Sequence, residues 1–214
     1  MWSIADIADA VAEGLRQQAR ALDAEQAVYG LDSRDELGLH PILQAALRAA
    51  GYGVWPEERY PCDRERARRS EGRRCDMVLT PAPEAWPLRD PELQDTLFGA
   101  QPAVDLEDAL WLEVKSVGQY ALGQPFARYS AELLSPVAQD LMKLWSDRGI
   151  GHAALLLVLF TAGQAVAEHD LAAWQQHCLD RGYPLSPPAV RGFQITERQG
   201  NAWCAAAVFV VRGA

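Results

Sequence analysis

Residues 153–162, AALLLVLFTA, form the longest apolar run in the chain, and they constrain the fold more than any other stretch. The run is too short to cross a bilayer, which takes ~20 residues as a helix. A strand that is apolar at every position, not at alternate ones, is buried on both faces, as in the middle of a sheet covered by helices. The chain must therefore supply a helical layer for each side of a sheet.

The pattern around it supplies both. Ser3 caps a helix reaching about residue 27, with Ile4, Ile7, Ala8, Val11 and Leu15 at helical spacing. A second helix opens at residues 33–35, carries Leu37, Ile42, Leu43 and Leu47, and stops at Gly51 and Gly53. Residues 54–60 read as a short strand interrupted by Pro56, residues 75–80 as a strand ended by Pro81, and residues 110–117 as a third strand. Ser135-Pro136 has the form of an N-cap with proline at the first helical position, opening a helix to about residue 148. After the strand His152–Thr161 come a helix over about 170–179 and two strands near 193–198 and 203–211, flanking the turn Gln199-Gly200-Asn201. Residues 81–108 are Pro-rich and acidic with little periodicity, an insertion with one helical turn near 93–97. No boundary splits the chain. The expectation is one domain: a helical extension at 1–30, a core at 33–162, and a helix and hairpin at 163–214 completing an α/β sandwich.

The net charge of −9 over 214 residues argues against a non-specific nucleic-acid coat, since phosphate binding runs on positive charge. Phosphate-loop, dinucleotide-fold, serine-hydrolase and zincin motifs are absent from the sequence. Cys62, Cys75, Cys178 and Cys204 form no C-x-x-C pair and have no zinc-ligand spacing to a histidine. They read as free thiols in a reducing cytosol, and the N-terminus lacks the basic region of a signal peptide, so the expected location is cytoplasmic and away from membranes.

The informative strand is Leu110-Trp111-Leu112-Glu113-Val114-Lys115-Ser116-Val117. Period-2 geometry puts Trp111, Glu113, Lys115 and Val117 on one face. An isolated E-x-K is most often a salt bridge on a solvated sheet face. Here Lys115 is one of only two lysines among 20 basic residues, the other being Lys143. An earlier strand places a single acid, Asp76, before Met77-Val78-Leu79, and the second helix has Glu36 in its first turn.

A helix with Glu, a strand opening with Asp, a strand with E-x-K, then a helix and a buried strand resembles the PD-(D/E)xK nuclease superfamily. The resemblance covers residues 33–162. Cys75 stands where the motif has proline, and the 36 residues between Asp76 and Glu113 require 81–108 to be an insertion in a hairpin. It implies a three-layer α/β/α sandwich with a mixed central sheet, restriction-endonuclease-like, plus the N-terminal helix and C-terminal β-hairpin. It also implies a catalytic set of Asp76, Glu113, Lys115 and Glu36. Asp76, Glu113 and the main-chain carbonyl of Val114 would hold Mg²⁺ or Mn²⁺ in a hard oxygen site, with Glu36 on a second ion or a metal-bound water. Lys115 would orient or help deprotonate the attacking water and stabilise developing charge.

On the helix after the motif, Val137, Ala138, Leu141, Leu144 and Trp145 fall on one side and Gln139, Asp140, Lys143 and Asp147 on the other. Gln139 and Lys143, four apart, are candidates to face a phosphate backbone; the alternative is a solvated face with an Asp140–Lys143 pair. Residues 59–74 carry seven Arg against three acids, a net +4 over sixteen residues. Arg73 and Arg74 lie nearest the chemistry as phosphate contacts, the alternative being a solvated charged loop. His40 could lie near Glu36 but reads as a capping or packing residue, and Trp111 as core. The leading function is metal-dependent phosphodiester hydrolysis, in DNA first and RNA second, of the restriction, repair or defence type. The alternatives are a catalytically inactive module of the same fold that binds nucleic acid or a protein partner, and an unrelated α/β protein with Glu113 and Lys115 as a surface pair. The apolar end of the last strand could extend the sheet or pair across a homodimer.

Overall fold

The computed structural model describes residues 2–63, 72–87 and 103–211. Residues 64–71 of the basic segment and 88–102 of the insertion, including the helical turn expected at 93–97, lie outside the described residues.

The apolar strand β4 (His152–Thr161) lies in the middle of a six-stranded mixed sheet, with every residue but His152 buried. In chain order the other strands are β1 (Gly53–Arg59), β2 (Arg74–Thr80), β3 (Leu110–Gly118), β5 (Ala189–Gln194) and β6 (Trp203–Val211). The spatial order is β1-β2-β3-β4-β6-β5. β3 and β4 run parallel, in register from Leu110↔His152 to Gly118↔Phe160, and the remaining neighbours are antiparallel. A parallel pair cannot be joined by a tight turn. Helix α3 (Tyr129–Ser146) makes that crossover.

Alternation along β3 and β4 divides the core in two. Leu112, Val114, Ala154, Leu156 and Val158 pack with Ile7, Val11, Leu15 and Leu43 from α1 (Ile4–Ala24) and α2 (Glu36–Ala49). Trp111, Val117, Leu155, Leu157 and Leu159 pack with Val137, Leu141 and Trp174 from α3 and α4 (Gln164–Asp180). Helices thus cover both faces of a mixed sheet.

Several elements differ from the sequence reading. Helix α1 is not an extension: its Ile7–Val11–Leu15 stripe is fully buried against the sheet and α2. The two helices approach so closely at Gly14 that a Cβ there would lie 2.4 Å from the Ala46 Cβ. Helix α3 begins at Tyr129, so Ser135-Pro136 lies inside it, and the N-cap Arg128 offers no side-chain hydrogen bond that would mark the true start. Pro56 does not interrupt β1; it pairs with Met77, which an edge strand tolerates because one row of N–H groups faces outward. The fifth strand is shifted to Ala189–Gln194, and α4 starts at Gln164. The C-terminal strand β6 is interior, paired with β4 from Trp203↔Thr161 to Val211↔Ala153 and with β5 on its other side. Among the described residues, no helix is long and apolar enough to cross a membrane.

Candidate active site

Strands β2 and β3 pair through Leu79↔Leu110, Val78↔Trp111 and Met77↔Leu112, and the ladder ends there. The next position in the same register sets Asp76 against Glu113. The two backbones do not bridge at this point; instead Asp76 Oδ2 accepts the N–H of Val114 at 2.8 Å. A side chain takes the place of a main-chain partner where the β2–β3 ladder ends, and both acids sit there. Asp76 lies close enough to Glu113 for its charge to raise the Glu113 pKa.

Glu113 is buried, with 2% of its surface exposed. Its Oε1 accepts a hydrogen bond from the hydroxyl of Tyr60, the residue just beyond β1. Tyr60 is itself buried and stacked on Trp111, centroids 5.7 Å apart, while Trp111 Nε1 donates to the Leu106 carbonyl at 3.1 Å. Trp111 is therefore core. Burial and the adjacent Asp76 push the Glu113 carboxyl up to about 9, against the opposing pull of the Tyr60 hydrogen bond and the Lys143 charge. Glu113 therefore keeps its proton at neutral pH while no cation compensates the buried charge.

Lys115 leaves β3 two residues later. Its Nζ lies 3.0 Å from Glu36 Oε2 and 3.5 Å from Asp140 Oδ2, and Asp140 Oδ1 accepts from Lys143 Nζ at 2.5 Å. Partial burial works to lower the Lys115 pKa, but the hydrogen bonds and charges of Glu36 and Asp140 outweigh it and raise the value. Lys143 is raised likewise, burial opposing, through Asp140, Glu113 and Asp76. Both are fixed cations in this arrangement. The helical wheel placed Asp140 on a polar face with Gln139 and Lys143. The expected Asp140–Lys143 pair is present, yet Asp140 is buried at 7% exposure, because two ammonium groups converge on it.

Helix α2 delivers two more groups. Asp35 caps it, accepting from the Gly38 N–H at 2.8 Å, which fixes Glu36 in the first turn. His40, one turn on, shares that face with Glu36. Glu36, His40 and Asp76 each offer a ligand atom within 4.8 Å of the others. His40 is 7% exposed and its Nε2 has no hydrogen-bond partner. These three are a group of described residues that could hold a metal ion, and the His40 ring brings to it a buried nitrogen without a partner.

The nucleic-acid candidates divide. Arg73, Gln139 and Lys143 line one cleft of about 660 Å³, together with His177 and Arg181 from the end of α4. Among the described residues no carboxylate lines it, although the chain carries a net charge of −9. Arg73 Nε lies 3.7 Å from Asp63 Oδ2. Arg74 instead donates to the Glu57 carbonyl at 2.6 Å.

All four residues expected at the chemistry, Asp76, Glu113, Lys115 and Glu36, are thus brought together. Sequence reasoning missed Tyr60 and Arg181 and undervalued His40 and Asp140. For His40 a signal existed in its spacing of four from Glu36; for Tyr60 there was none, since its contact with Glu113 spans 53 positions. Compared with known proteins, the chain matches no protein-family model, no curated protein and no solved structure.

Proposed function

We propose that this protein is a metal-dependent nuclease with a restriction-endonuclease-like fold, hydrolysing phosphodiester bonds in DNA. The observation that carries the reading is the meeting of Asp76 and Glu113 where β2 and β3 part, with Lys115 on the same strand and Glu36 and His40 on the facing helix.

A cation fits these residues. The unpartnered His40 Nε2 and the buried, protonated Glu113 are both features that a divalent ion would satisfy. Asp76, Glu113, the Val114 carbonyl, Glu36 and His40 are the groups that would hold Mg²⁺ or Mn²⁺. When bound, the ion supplies positive charge at the phosphate and lowers the pKa of water. The chain's own groups do the rest. Tyr60 fixes the rotamer of Glu113 and keeps it turned toward Asp76. Asp140 holds Lys115 and Lys143 as a pair of ammonium groups, so that charge developing on a phosphate meets cations whose positions are already set. The raised Lys115 makes it an orienting and charge-stabilising group, not a base. Arg73, Lys143 and Arg181 give the adjoining cleft the positive charge that a phosphate backbone requires.

The test is cleavage of plasmid and single-stranded DNA, with RNA as a further arm, in Mg²⁺ or Mn²⁺. Wild type is expected to cleave, Lys115→Ala to lose about a hundredfold or more of the rate, consistent with removal of one preorganised charge. Binding without cleavage by wild type would assign the chain to a catalytically silent module. Cleavage undiminished in Lys115→Ala would overturn the assignment.

A further inference from the structure

The ion-pair chain Glu36–Lys115–Asp140–Lys143 links two clefts. Lys143 lines the basic one; Glu36 and Ser116 line another, of about 570 Å³, with a different character. Its walls carry Tyr29, Tyr120, Phe126 and Leu122, and Tyr29 and Leu122 are 58% and 81% exposed. The charged groups in its lining are Asp32, Asp35 and Glu36 against Arg34, an acidic balance that repels phosphate. Two buried polar atoms of the lining residues, Asp32 Oδ1 and Gln199 Nε2, have no hydrogen-bond partner.

The hairpin forming one wall grows directly from the strand that carries Glu113 and Lys115. Tyr120 and Ala121 pair with Pro125 and Gln124, and the tip is Leu122-Gly123, with φ of +51° and +75°. A leucine in the left-handed region is uncommon, since such turns favour Asn-Gly, and here its apolar side chain projects into solvent. The hairpin is held from behind. Asn201, fully buried, accepts from the Tyr120 N–H at 3.1 Å and donates to the Tyr120 carbonyl at 3.0 Å, and Gln199 accepts from the Leu122 N–H at 3.1 Å. The Tyr120 ring lies against Gly200, where a Cβ would come within 2.5 Å of it. The hairpin backbone at Tyr120 and Leu122 is thus tied to the turn at residues 199–201. Exposed aromatic groups beside an apolar wedge stack and part bases, as they do in proteins that bind unpaired strands.

We propose that this aromatic cleft stacks unpaired bases of the strand whose phosphate reaches Asp76 and Glu113, so that the substrate is single-stranded or locally unpaired DNA. The inference rests on the nuclease reading and adds the substrate class. Phosphates follow the basic cleft, bases turn into the aromatic one, and the four-residue ion-pair chain lies between them.

The experiment is fluorescence anisotropy without divalent metal, using the full chain and a Tyr29→Ala/Phe126→Ala variant whose folding is checked by thermal melting. The probes are a labelled oligothymidylate, an abasic strand of equal length, the matching duplex and an oligouridylate. Wild type should bind oligothymidylate about tenfold or more tighter than the abasic strand or the duplex, and the variant should lose about tenfold on oligothymidylate with the abasic strand unchanged. Equal binding of base-bearing and abasic strands, preference for duplex, or an unaffected variant would overturn the platform while leaving the nuclease reading standing. Tighter binding of oligouridylate would make RNA the substrate and overturn the DNA assignment. Binding of none of the probes would overturn both. A wild-type dimer that becomes monomeric in the variant on size exclusion would show a second copy in the cleft and also overturn the inference.

Discussion

Replacing Glu113 by glutamine should stabilise the metal-free protein, an unusual outcome for a residue at a proposed catalytic centre. Glutamine preserves the shape and the acceptor: its Oε1 can accept from the Tyr60 hydroxyl. What it removes is the preference of the buried group for its proton. In the unfolded chain Glu113 ionises around 4.5, whereas burial and Asp76 hold it protonated in the fold up to about 9. Between those values the unfolded state releases a proton that the folded state keeps, so rising pH favours unfolding. At pH 7.5 the gap is about three pH units at about 1.4 kcal/mol each, a ceiling of about 4 kcal/mol. Relaxation around the buried carboxylate takes part of this, leaving an expected gain of about 2–4 kcal/mol, or about 5–15 °C in melting temperature for a chain of this size. The assay is urea denaturation and thermal melting from pH 5 to 9 in the presence of a chelator. Wild-type stability should fall across that window and the variant should stay nearly flat, the two converging toward pH 5. A variant less stable than wild type at pH 7.5, or parallel pH profiles, would refute the reasoning.

Other perturbations follow from the same geometry. Asn201→Ala strips three hydrogen bonds, to both main-chain groups of Tyr120 and to Asp32, and should lower stability by about 2–4 kcal/mol in urea titrations, with faster amide exchange confined to the hairpin at 120–125. Leu156→Ala, in the doubly buried strand, should cost about 2–5 kcal/mol by the same measurement, since Leu156 is fully enclosed. Arg181→Ala should weaken DNA binding evenly across sequences and reduce the slope of log affinity against log salt by about 1, as the loss of one phosphate contact requires.

What the sequence disclosed follows the range of the interactions involved. Glu113 and Lys115 are legible because a period-2 strand fixes which residues share a face, and Asp76 because a lone acid opens an otherwise apolar strand. Their meeting is a matter of register, which Met77↔Leu112 sets and no local pattern announces. The Asp140–Lys143 pair was legible in the helix, but the burial of Asp140 was not, for a related reason. A helical wheel separates polar from apolar but cannot see two lysines arriving from β3 and α3 to bury the carboxylate between them. Helix α1 carried a legible stripe, Ile7–Val11–Leu15, and such a stripe demands a partner surface. Reading it as an extension overlooked that the sheet needed covering toward β5 and β6. The start of α3 was hidden because Ser-Pro gives a strong capping signal in mid-helix while the real N-cap, Arg128, gives none.

The central claim is that Asp76, Glu113 and the facing side of α2 form a divalent-cation site. The most direct measurement is a crystal grown with Mn²⁺ and recorded at the manganese absorption edge, for wild type and Asp76→Asn. The account predicts an anomalous peak in wild type bonded to Asp76 and Glu113, with His40 or Glu36 directly or through water, and its loss in the variant. An anomalous map recorded at saturating Mn²⁺ without a peak at these residues would contradict it.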